Sequence, residues 1–373
     1  KSIDMNIVIT GGGTGGHLYP GIAVAEEFLK RLQKEGIKKS NIIFVGTEYG
    51  IEAKVIPREG YPIRFVRAEG VIGKSILRKI KAIFLFILSI FDSIKILNTI
   101  KPDIVIGVGG YASVGMTLTA HFKGIATMIL EQNSVPGTAN RFLGRFVDAI
   151  GVTYQESTSY FPRHKTYLTG NPVRKEILVK DRERAYTLFP IDRDKFTVFV
   201  FGGSAGARSI NHAMIEALGH LSDLRDTIQF IHQTGERDYE YVKDAYRGAG
   251  FSGIVVPFIY QMTDAYAISD IVICRAGATT LAEITASGKA SVLIPYPYAA
   301  ANHQEYNARK LEDMGAAKVI LDKNINGQIL ASIIRGLYND KNLRRDMELA
   351  ASTFSKIDAA ERVVDIALSL IRK

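Results

Sequence analysis

The sequence predicts an α/β protein made of two doubly wound, Rossmann-like domains that face each other across a cleft. Short apolar runs alternate with helical patterns along nearly all of the 373 residues, as expected for parallel strands that helices cover on both faces. The second half also opens like the first, because residues 6–20 and 197–211 both have the pattern of a strand, a glycine-rich loop and a helix.

Six apolar runs in each half predict the strands. They are residues 6–10, 42–46, 63–66, 103–108, 125–130 and 147–152, and then residues 196–201, 227–232, 254–256, 271–274, 290–295 and 317–320. The periodicity breaks at Gly170 and Pro172, which predicts an N-terminal domain over residues 1–168 and a C-terminal domain over residues 169–354. A final helix over residues 355–373 is expected to pack back on the N-terminal domain.

The composition is that of an ordinary globular protein, with 47% hydrophobic and 23% charged residues. The single cysteine, Cys274, excludes an intrachain disulfide and fits a reducing compartment. No signal-peptide pattern opens the chain. The longest apolar run, residues 82–91, is about half of the ~20 residues that a membrane-spanning helix needs, so no spanning helix is expected. A net charge of +9 admits nucleic acid, anionic membrane or phosphorylated ligands as partners.

Three glycine-rich loops follow predicted strands and open predicted helices: Gly11–His17, Gly107–Ser113 and Gly202–Ser209. Backbone N–H groups at such helix starts bind anions, and ligands of parallel sheets bind at this edge. The first loop also satisfies the dinucleotide fingerprint G-x-G-x-x-G, which requires a carboxylate about 20 residues further on. The nearest candidate, Glu48, lies 37 residues past Gly11, so dinucleotide binding is disfavoured.

His17 stands at the start of a helix, where the positive helix end favours the neutral imidazole. A neutral imidazole can act as a general base or contact a substrate hydroxyl; simple packing is the alternative. In the second half, Gly277 and Ala278 form a small-residue turn before a helix expected from about Thr279. Its N–H and hydroxyl groups suit a phosphate, and Glu283, one turn deeper, suits a ribose diol.

Further polar residues follow other predicted strands. His303 and Gln304 suit sugar hydroxyls, Asn133 points toward the same cleft, and the Arg174 guanidinium suits a diphosphate. Each of these residues could instead belong to an ordinary polar surface. No metal site is predicted, because Asp192–Asp194 follows Pro190 in a turn and the histidines lack ligand spacing.

Residues 71–101 combine apolar residues with six Lys or Arg and one acid, Asp92, a net charge of +5. A basic rim around apolar residues predicts contact with an anionic membrane surface, although a buried helix face is the alternative for residues 85–97. The candidate membrane-contact residues are Ile72, Lys74, Ile76, Leu77, Arg78, Lys79, Ile80, Lys81, Ile83 and Phe84.

The chain resembles the MurG family of bacterial cell-wall enzymes. The motifs that carry the resemblance are GGGTGGHLYP, GVGGYAS, EQNSVPGTANR, TGNPVR, GGSAGARSIN, HQTG, CRAGATTLAE and NHQEYNA, in this order. The resemblance implies a GT-B glycosyltransferase fold and inverting transfer of N-acetylglucosamine (GlcNAc) from UDP-GlcNAc to the 4-hydroxyl of N-acetylmuramic acid (MurNAc). The acceptor would be undecaprenyl-diphospho-MurNAc-pentapeptide, lipid I, and the product lipid II of peptidoglycan synthesis.

The resemblance also implies a peripheral location on the cytoplasmic face of the bacterial membrane, without a cofactor and without nucleic acid. Other cell-wall synthesis proteins are further candidate partners. His17 is the candidate catalytic base. The implied substrate contacts are Thr14, Gly15, Gly16, Asn133, Arg174, Ser204, Ile259, Gly277, Ala278, Thr279, Thr280, Leu281, Ala282, Glu283, His303 and Gln304. Among them, Gly277–Ala282 and Ser204 would meet phosphates, and the Ile259 backbone would meet uracil.

Three alternatives stay open. One is another UDP-sugar-dependent GT-B transferase that acts on a lipid, such as a diacylglycerol glucosyltransferase. The second is an enzyme like UDP-GlcNAc 2-epimerase, which would convert the donor without an acceptor. The third is a non-catalytic module that binds a lipid diphosphate.

Overall fold

The structure is a computed structural model that describes residues 5–36, 40–69, 76–299 and 302–371. The chain forms two compact units. Unit 1 extends to Arg174 and includes the segment from Lys356 onward, and unit 2 comprises Lys175–Ser355. The predicted domain boundaries follow residues 168 and 354. They lie close to the two points where the chain passes from one unit to the other, after Arg174 and after Ser355.

Unit 1 contains a seven-stranded, wholly parallel sheet in the order β3-β2-β1-β4-β5-β6-β7. Its strands are β1 (Met5–Gly11), β2 (Ser40–Gly46), β3 (Ile63–Phe65), β4 (Ile104–Gly109), β5 (Ala126–Glu131), β6 (Ala149–Val152) and β7 (Thr166–Leu168). Its helices are α1 (Gly15–Lys34), α2 (Glu52–Arg58), α3 (Ile76–Ile100), α4 (Tyr111–Phe122), α5 (Thr138–Leu143) and α15 (Ala359–Ile371).

Unit 2 contains a six-stranded parallel sheet in the order β10-β9-β8-β11-β12-β13. Its strands are β8 (Phe196–Phe201), β9 (Ile228–Gln233), β10 (Ser252–Val256), β11 (Ile271–Cys274), β12 (Ala290–Leu293) and β13 (Ala317–Val319). Its helices are α6 (Glu176–Val179), α7 (Arg182–Leu188), α8 (Arg208–His220), α9 (Tyr239–Ala249), α10 (Met262–Ile268), α11 (Ala278–Ser287), α12 (His303–Asp313), α13 (Gly327–Asn339) and α14 (Lys341–Phe354).

The two doubly wound α/β domains that the sequence predicts are confirmed. Every residue of β4, β8 and β9 is buried, because helices cover both faces of each sheet, and this explains why these strands read as continuous apolar runs. Strand β7 was not predicted, since its residues Thr166, Tyr167 and Leu168 do not form an apolar run.

The last helix of the chain, α15, packs on unit 1. Its side chains Val363, Val364 and Leu368 are buried, and it contacts α1 and the central strands β4, β5 and β6. Two ion pairs tie its outer face to α1, Lys30 to Glu361 at 3.4 Å and Arg31 to Asp365 at 2.9 Å. Unit 2 is therefore an insertion between the body of unit 1 and the final helix of unit 1.

Helix α3 corrects one expectation from the sequence. Its segment Ile83–Ile100 is long and apolar enough to cross a membrane by length and composition, and 17% of that segment is buried. The uninterrupted apolar run in the sequence is shorter than this segment, because the helix continues through single polar residues such as Asp92. One side of α3 packs on α4: Ser89, Ser93 and Leu97 are buried.

Each sheet reverses its strand order at one point, between β1 and β4 in unit 1 and between β8 and β11 in unit 2. In doubly wound sheets, ligands bind beyond the carboxyl ends of the strands at such switch points. The topology thus predicts that ligands bind at the loops after β1, β4, β8 and β11. Three of these loops are the glycine-rich ones.

Candidate active site

The switch point of unit 1 brings two glycine loops into backbone contact. The Gly12 N–H donates to the Gly109 carbonyl at 3.3 Å. A Cβ on Gly110 would lie 2.5 Å from the Gly12 oxygen, and Gly109 and Gly110 have φ angles of +103° and +83°. Glycine is therefore required at both positions by the approach of the loops and by the positive φ.

His17 lies at this contact, in the first turn of α1. Its Nδ1 is 3.3 Å from the Thr14 hydroxyl oxygen, and its ring lies against Gly109, where a Cβ would be 2.5 Å from Cδ2. A base role for Nε2 requires the tautomer in which Nδ1–H donates to Thr14. The structure thus brings His17, Thr14 and the second glycine loop together.

A buried carboxylate that the sequence analysis missed holds the first glycine loop. Glu52 accepts hydrogen bonds from the Gly13 N–H at 2.8 Å, the Thr47 N–H at 2.8 Å and the Thr47 hydroxyl at 2.9 Å. Its carboxyl group also occupies the space that a Cβ on Gly12 would need, at 2.4 Å. One N–H of the loop is therefore hydrogen-bonded inside the protein.

A second buried carboxylate, Glu131, shapes the loop after β5. It accepts hydrogen bonds from the Asn133 N–H at 2.8 Å, the Asn133 side-chain amide at 3.2 Å, the Gly137 N–H at 3.1 Å and the Asn140 amide at 2.9 Å. Burial raises the pKa of Glu131, and these donors act in the opposite direction. Because the Asn133 amide nitrogen faces Glu131, the Asn133 side-chain oxygen is the atom left for a ligand.

The loop after β5 is joined to the second glycine loop, since Gln132 donates its side-chain amide to the Val108 carbonyl at 2.9 Å. Arg174 also belongs to unit 1. Its side chain is 4% exposed, and the guanidinium carbon lies 4.3 Å from the ring centre of Tyr19 on α1. The structure therefore places Arg174 as a buried cation stacked on Tyr19.

At the switch point of unit 2, a loop that contains glycine also follows each of the two strands. Residues 202–207 follow β8, and residues 275–277 follow β11 and lead into α11, whose N-cap is Gly277. The predicted helix start is correct to one residue. The Leu281 N–H donates to the Gly277 carbonyl at 3.0 Å, so the N–H groups without a helical acceptor are those that precede it. Ser204 is exposed in the first of these loops.

Glu283 is buried one turn into α11 and accepts a hydrogen bond from the Tyr266 hydroxyl at 3.2 Å. Gln304, in the first turn of α12, uses its side-chain oxygen to accept the N–H groups of Ala276 and Tyr296 at 3.2 and 3.0 Å. Its amide nitrogen is then the part that suits a ligand. His303 is half-buried beside it at the start of α12.

Arg275 was not predicted as a structural residue of this site. It donates to Asp322 at 2.5 Å, to the Ser209 hydroxyl at 2.9 Å and to the Ile294 carbonyl at 3.2 Å. It therefore joins the loop after β11 to the start of α8 and to the segments after β12 and β13. The Ile259 side chain is buried, and its N–H donates to the side-chain oxygen of Gln233 at 2.7 Å.

Two of the predicted membrane-contact residues have described side chains, and both Ile83 and Phe84 are exposed. Ile72 and Lys74 lie outside the described residues. The side chains of the remaining six also lie outside the described part of the chain: Ile76, Leu77, Arg78, Lys79, Ile80 and Lys81.

Comparison with known proteins decides the family. Residues 7–152 match the glycosyltransferase family 28 N-terminal domain, and residues 197–363 match the glycosyltransferase family 28 C-terminal domain. A protein of Thermodesulfovibrio yellowstonii named UDP-N-acetylglucosamine--N-acetylmuramyl-(pentapeptide) pyrophosphoryl-undecaprenol N-acetylglucosamine transferase is 50% identical over 99% of this chain and 100% of its own length. The chain belongs to the MurG family. It is therefore a glycosyltransferase, and the resemblance seen in the sequence is confirmed.

Solved structures agree with this family. The crystal structure of MurG from Acinetobacter baumannii matches with a TM-score of 0.70 and 29% identity, covering 98% of this chain and 99% of that one. UDP-GlcNAc 2-epimerase from Neisseria meningitidis, bound to UDP-GlcNAc, matches with a TM-score of 0.68 at 13% identity over 98% of this chain and 100% of that one. At that identity it shows the shared fold alone. The GT-B fold expected from the resemblance to MurG is thus confirmed.

The variant Glu131→Gln tests whether Glu131 holds the loop after β5. In Glu131→Gln, one side-chain oxygen becomes a donor that cannot accept, so the Gly137 N–H or the Asn133 N–H loses its acceptor. A buried donor without a partner costs about 1–3 kcal/mol, and we expect one of these amides to exchange with solvent at least about fivefold faster. Hydrogen exchange measured by NMR reads this out.

The matched control is Asp148→Asn, because Asp148 accepts from the Thr127 N–H and hydroxyl, both at 2.8 Å, at the opposite edge of the same sheet. That variant should affect Thr127 and leave Asn133 and Gly137 unchanged. Equal exchange of Asn133 and Gly137 in wild type and Glu131→Gln would show that Glu131 does not hold the loop.

Proposed function

We propose that this chain transfers GlcNAc from UDP-GlcNAc to the 4-hydroxyl of MurNAc in undecaprenyl-diphospho-MurNAc-pentapeptide, the step from lipid I to lipid II in peptidoglycan synthesis. The observation that carries the proposal is the 50% identity over 99% of the chain to a relative named for this reaction. The glycine loops and polar residues at both switch points support it, because both substrates carry a diphosphate and a sugar.

Unit 2 binds the donor in this proposal. The diphosphate lies at the start of α11, where the N–H groups of residues 278–280 and the positive helix end favour an anion, with Ser204 on the neighbouring loop. Glu283 accepts hydrogen bonds from the ribose hydroxyls, and Gln304 and His303 contact the GlcNAc hydroxyls. The Ile259 carbonyl accepts from the uracil N3–H, because the Ile259 N–H is already bound to Gln233.

Unit 1 binds the acceptor. The start of α1, at Thr14, Gly15 and Gly16, faces the acceptor diphosphate, because the positive helix end favours an anion. Asn133 offers its side-chain oxygen to a sugar hydroxyl. The buried Arg174 adds a fixed positive charge in unit 1. Lipid I carries the peptide and the undecaprenyl chain as well, and the oxygen that reacts is the 4-hydroxyl of its MurNAc.

The chemistry is a single displacement at C1 of GlcNAc. The acceptor oxygen forms a bond to C1 while the bond from C1 to the UDP oxygen breaks, so the α linkage of the donor becomes a β linkage. His17 takes the proton of the attacking hydroxyl, and the N–H groups at the start of α11 stabilise the negative charge that grows on the leaving diphosphate.

The decisive experiment measures UDP release from UDP-GlcNAc with and without a soluble lipid I analogue. We expect release that requires the analogue, and a faster rate with UDP-GlcNAc than with UDP-glucose or UDP-galactose. Conversion of UDP-GlcNAc without any acceptor would support the 2-epimerase alternative instead. Binding of the analogue with no turnover under any donor would contradict the proposal in favour of a binding module.

Removal of the proposed base tests His17. A general base normally contributes about 10²–10⁴-fold to the rate, so His17→Ala should lower kcat at least about a hundredfold with little change in donor KM. His17→Asn keeps a polar group near Thr14 but cannot take up the proton, and it should be equally slow. The exposed His164 is the matched control. A fall in kcat below about tenfold would exclude the base role.

Glu283→Ala tests the ribose contact. Hydrogen bonds to a charged group are worth about 1.5–3 kcal/mol, so donor KM should rise about 10- to 100-fold, while kcat at saturating donor changes little. Tyr266→Phe, which removes the hydroxyl that donates to Glu283, should have a smaller effect on donor KM. An unchanged donor KM in Glu283→Ala rules out the ribose assignment.

We also propose that α3 rests peripherally on the anionic membrane surface that holds the lipid acceptor. Its exposed side presents large apolar residues at helical spacing, which are Ile83, Phe84, Ile87, Phe91 and Ile94. The acid of this helix, Asp92, is paired with Arg67 through bonds of 2.6 and 2.8 Å, and this pairing lowers the pKa of Asp92. The segment thus offers apolar side chains and positive charge to lipid headgroups.

Charge reversal tests this membrane contact. The triple variant Lys74→Glu, Arg78→Glu, Lys79→Glu should bind phosphatidylglycerol vesicles at least about tenfold more weakly, since each basic residue near an anionic surface contributes about 1 kcal/mol. The control variant Lys243→Glu, Arg247→Glu, Lys341→Glu changes the net charge equally in unit 2 and should bind like wild type. Equal co-sedimentation of all three proteins would refute the membrane contact.

A further inference from the structure

Three buried side chains form a hydrogen-bond network behind the motif HQTG, residues 232–235 of unit 2. Nδ1 of His232 on β9 lies 3.1 Å from the hydroxyl oxygen of Tyr246 on α9, and Nε2 lies 3.0 Å from the side-chain oxygen of Asn211 on α8. Each of the three residues is at most 4% exposed. Asn211, His232 and Tyr246, the His232 network, therefore join α8, β9 and α9 in the interior of the unit.

The direction of each hydrogen bond follows from two acceptors at one end of the His232 network. The Asn211 amide nitrogen donates to the Thr234 carbonyl and to the Asp238 carboxylate, both at 2.9 Å. The Asn211 oxygen therefore faces Nε2 of His232, so Nε2 carries the ring proton and donates it. Burial lowers the pKa of His232 to about 3, so the ring is neutral and its Nδ1 accepts the Tyr246 hydroxyl.

The Thr234 peptide, which accepts from Asn211, is packed against the glycine loop after β8. A Cβ on Gly206 would lie 2.0 Å from the Thr234 oxygen, and Gly206 has a φ angle of +76°. A Cβ on Gly235 would lie 2.3 Å from the Ala205 oxygen. Because no side chain fits between the two backbones, the position of the Thr234 carbonyl sets the position of Ala205 and Gly206.

The same glycine loop carries Ser204, which is exposed and precedes Ala205. We propose that Asn211 is a positioning residue for the donor diphosphate, which it serves by holding the Thr234 peptide against this loop, and that His232 positions Asn211. The inference rests on the proposed function, because it takes Ser204 as a contact to the diphosphate. Binding groups must be held within about 0.5 Å of their productive geometry, and the His232 network supplies this support from the interior.

Binding of UDP and uridine tests the role of Asn211, since the two ligands share the base and the ribose and differ in the diphosphate. UDP is titrated by calorimetry, and uridine is titrated in competition with UDP. Asn211→Leu keeps nearly the same side-chain volume and removes all three hydrogen bonds, so the ratio of UDP to uridine affinity should fall at least about tenfold. Uridine affinity should stay within about threefold of wild type. In the transferase assay, donor KM should rise more than kcat falls.

Two variants of His232 separate positioning from packing. In His232→Gln, the side-chain amide can still donate to the Asn211 oxygen, so the ratio of UDP to uridine affinity should stay within about threefold of wild type. His232→Leu fills the space without a donor and should lower the ratio at least about fivefold. Equal ratios in these two variants would overturn the proposal, because the hydrogen bond to Asn211 would then have no effect on the diphosphate.

The wild-type protein provides a test that depends on no variant. Two-bond correlation spectra between ring protons and nitrogens show which nitrogen of a neutral histidine is protonated. His232 should be the Nε2–H tautomer and should stay neutral from about pH 8 down to about pH 5, since its pKa is about 3. A proton on Nδ1 would require Asn211 to turn its oxygen toward Thr234, and it would overturn the proposal.

Gln229 provides the matched control. It is buried on the same strand, and its side chain bonds to the backbone of Asp192 and to the Thr197 hydroxyl at the amino end of the strand. Gln229→Leu should lower Tm without changing the ratio of UDP to uridine affinity. A wild-type ratio in Asn211→Leu would overturn this inference alone, whereas no UDP binding by wild type would overturn the proposed donor site as well.

Discussion

In the loops beyond the strands, four buried or half-buried side chains accept backbone N–H groups. Parallel strands end with peptide groups that the ladder no longer pairs, and such groups are costly to leave unmet. Glu52 and Glu131 accept loop N–H groups in unit 1, and Gln233 and Gln304 do so in unit 2. These four residues decide which N–H groups are spent inside the protein and which remain for substrates.

Unit 1 uses carboxyl groups to accept the loop N–H groups, and unit 2 uses side-chain amides. The two groups differ in the hydrogen bonds that they can make. A carboxylate accepts from several N–H groups at once, so Glu131 gathers one loop around itself. An amide both donates and accepts, so Gln233 can join a carbonyl of one loop to an N–H of another. Neutral amides also add no negative charge beside the place where unit 2 is proposed to bind a diphosphate.

Much of the fold was accessible from the sequence because its signals are local. Apolar runs predict the buried strands, and the glycine loops predict both switch points, since strand, loop and helix are contiguous. Glu52 was missed because it lies 39 residues from the Gly13 N–H that it accepts, and no periodicity connects the two. Gln233 stood inside the quoted motif HQTG, but its partner Ile259 is 26 residues away, so its role required the structure.

The return of α15 to unit 1 has a consequence for biosynthesis. Unit 2 is one continuous stretch from Lys175 to Ser355, whereas the core of unit 1 includes Val363, Val364 and Leu368 from the final helix. Chains fold as they leave the ribosome, normally starting with the N-terminal domain. Here unit 1 is completed only after unit 2 has been synthesised, so α1 and the sheet of unit 1 keep an uncovered apolar face until α15 has left the ribosome.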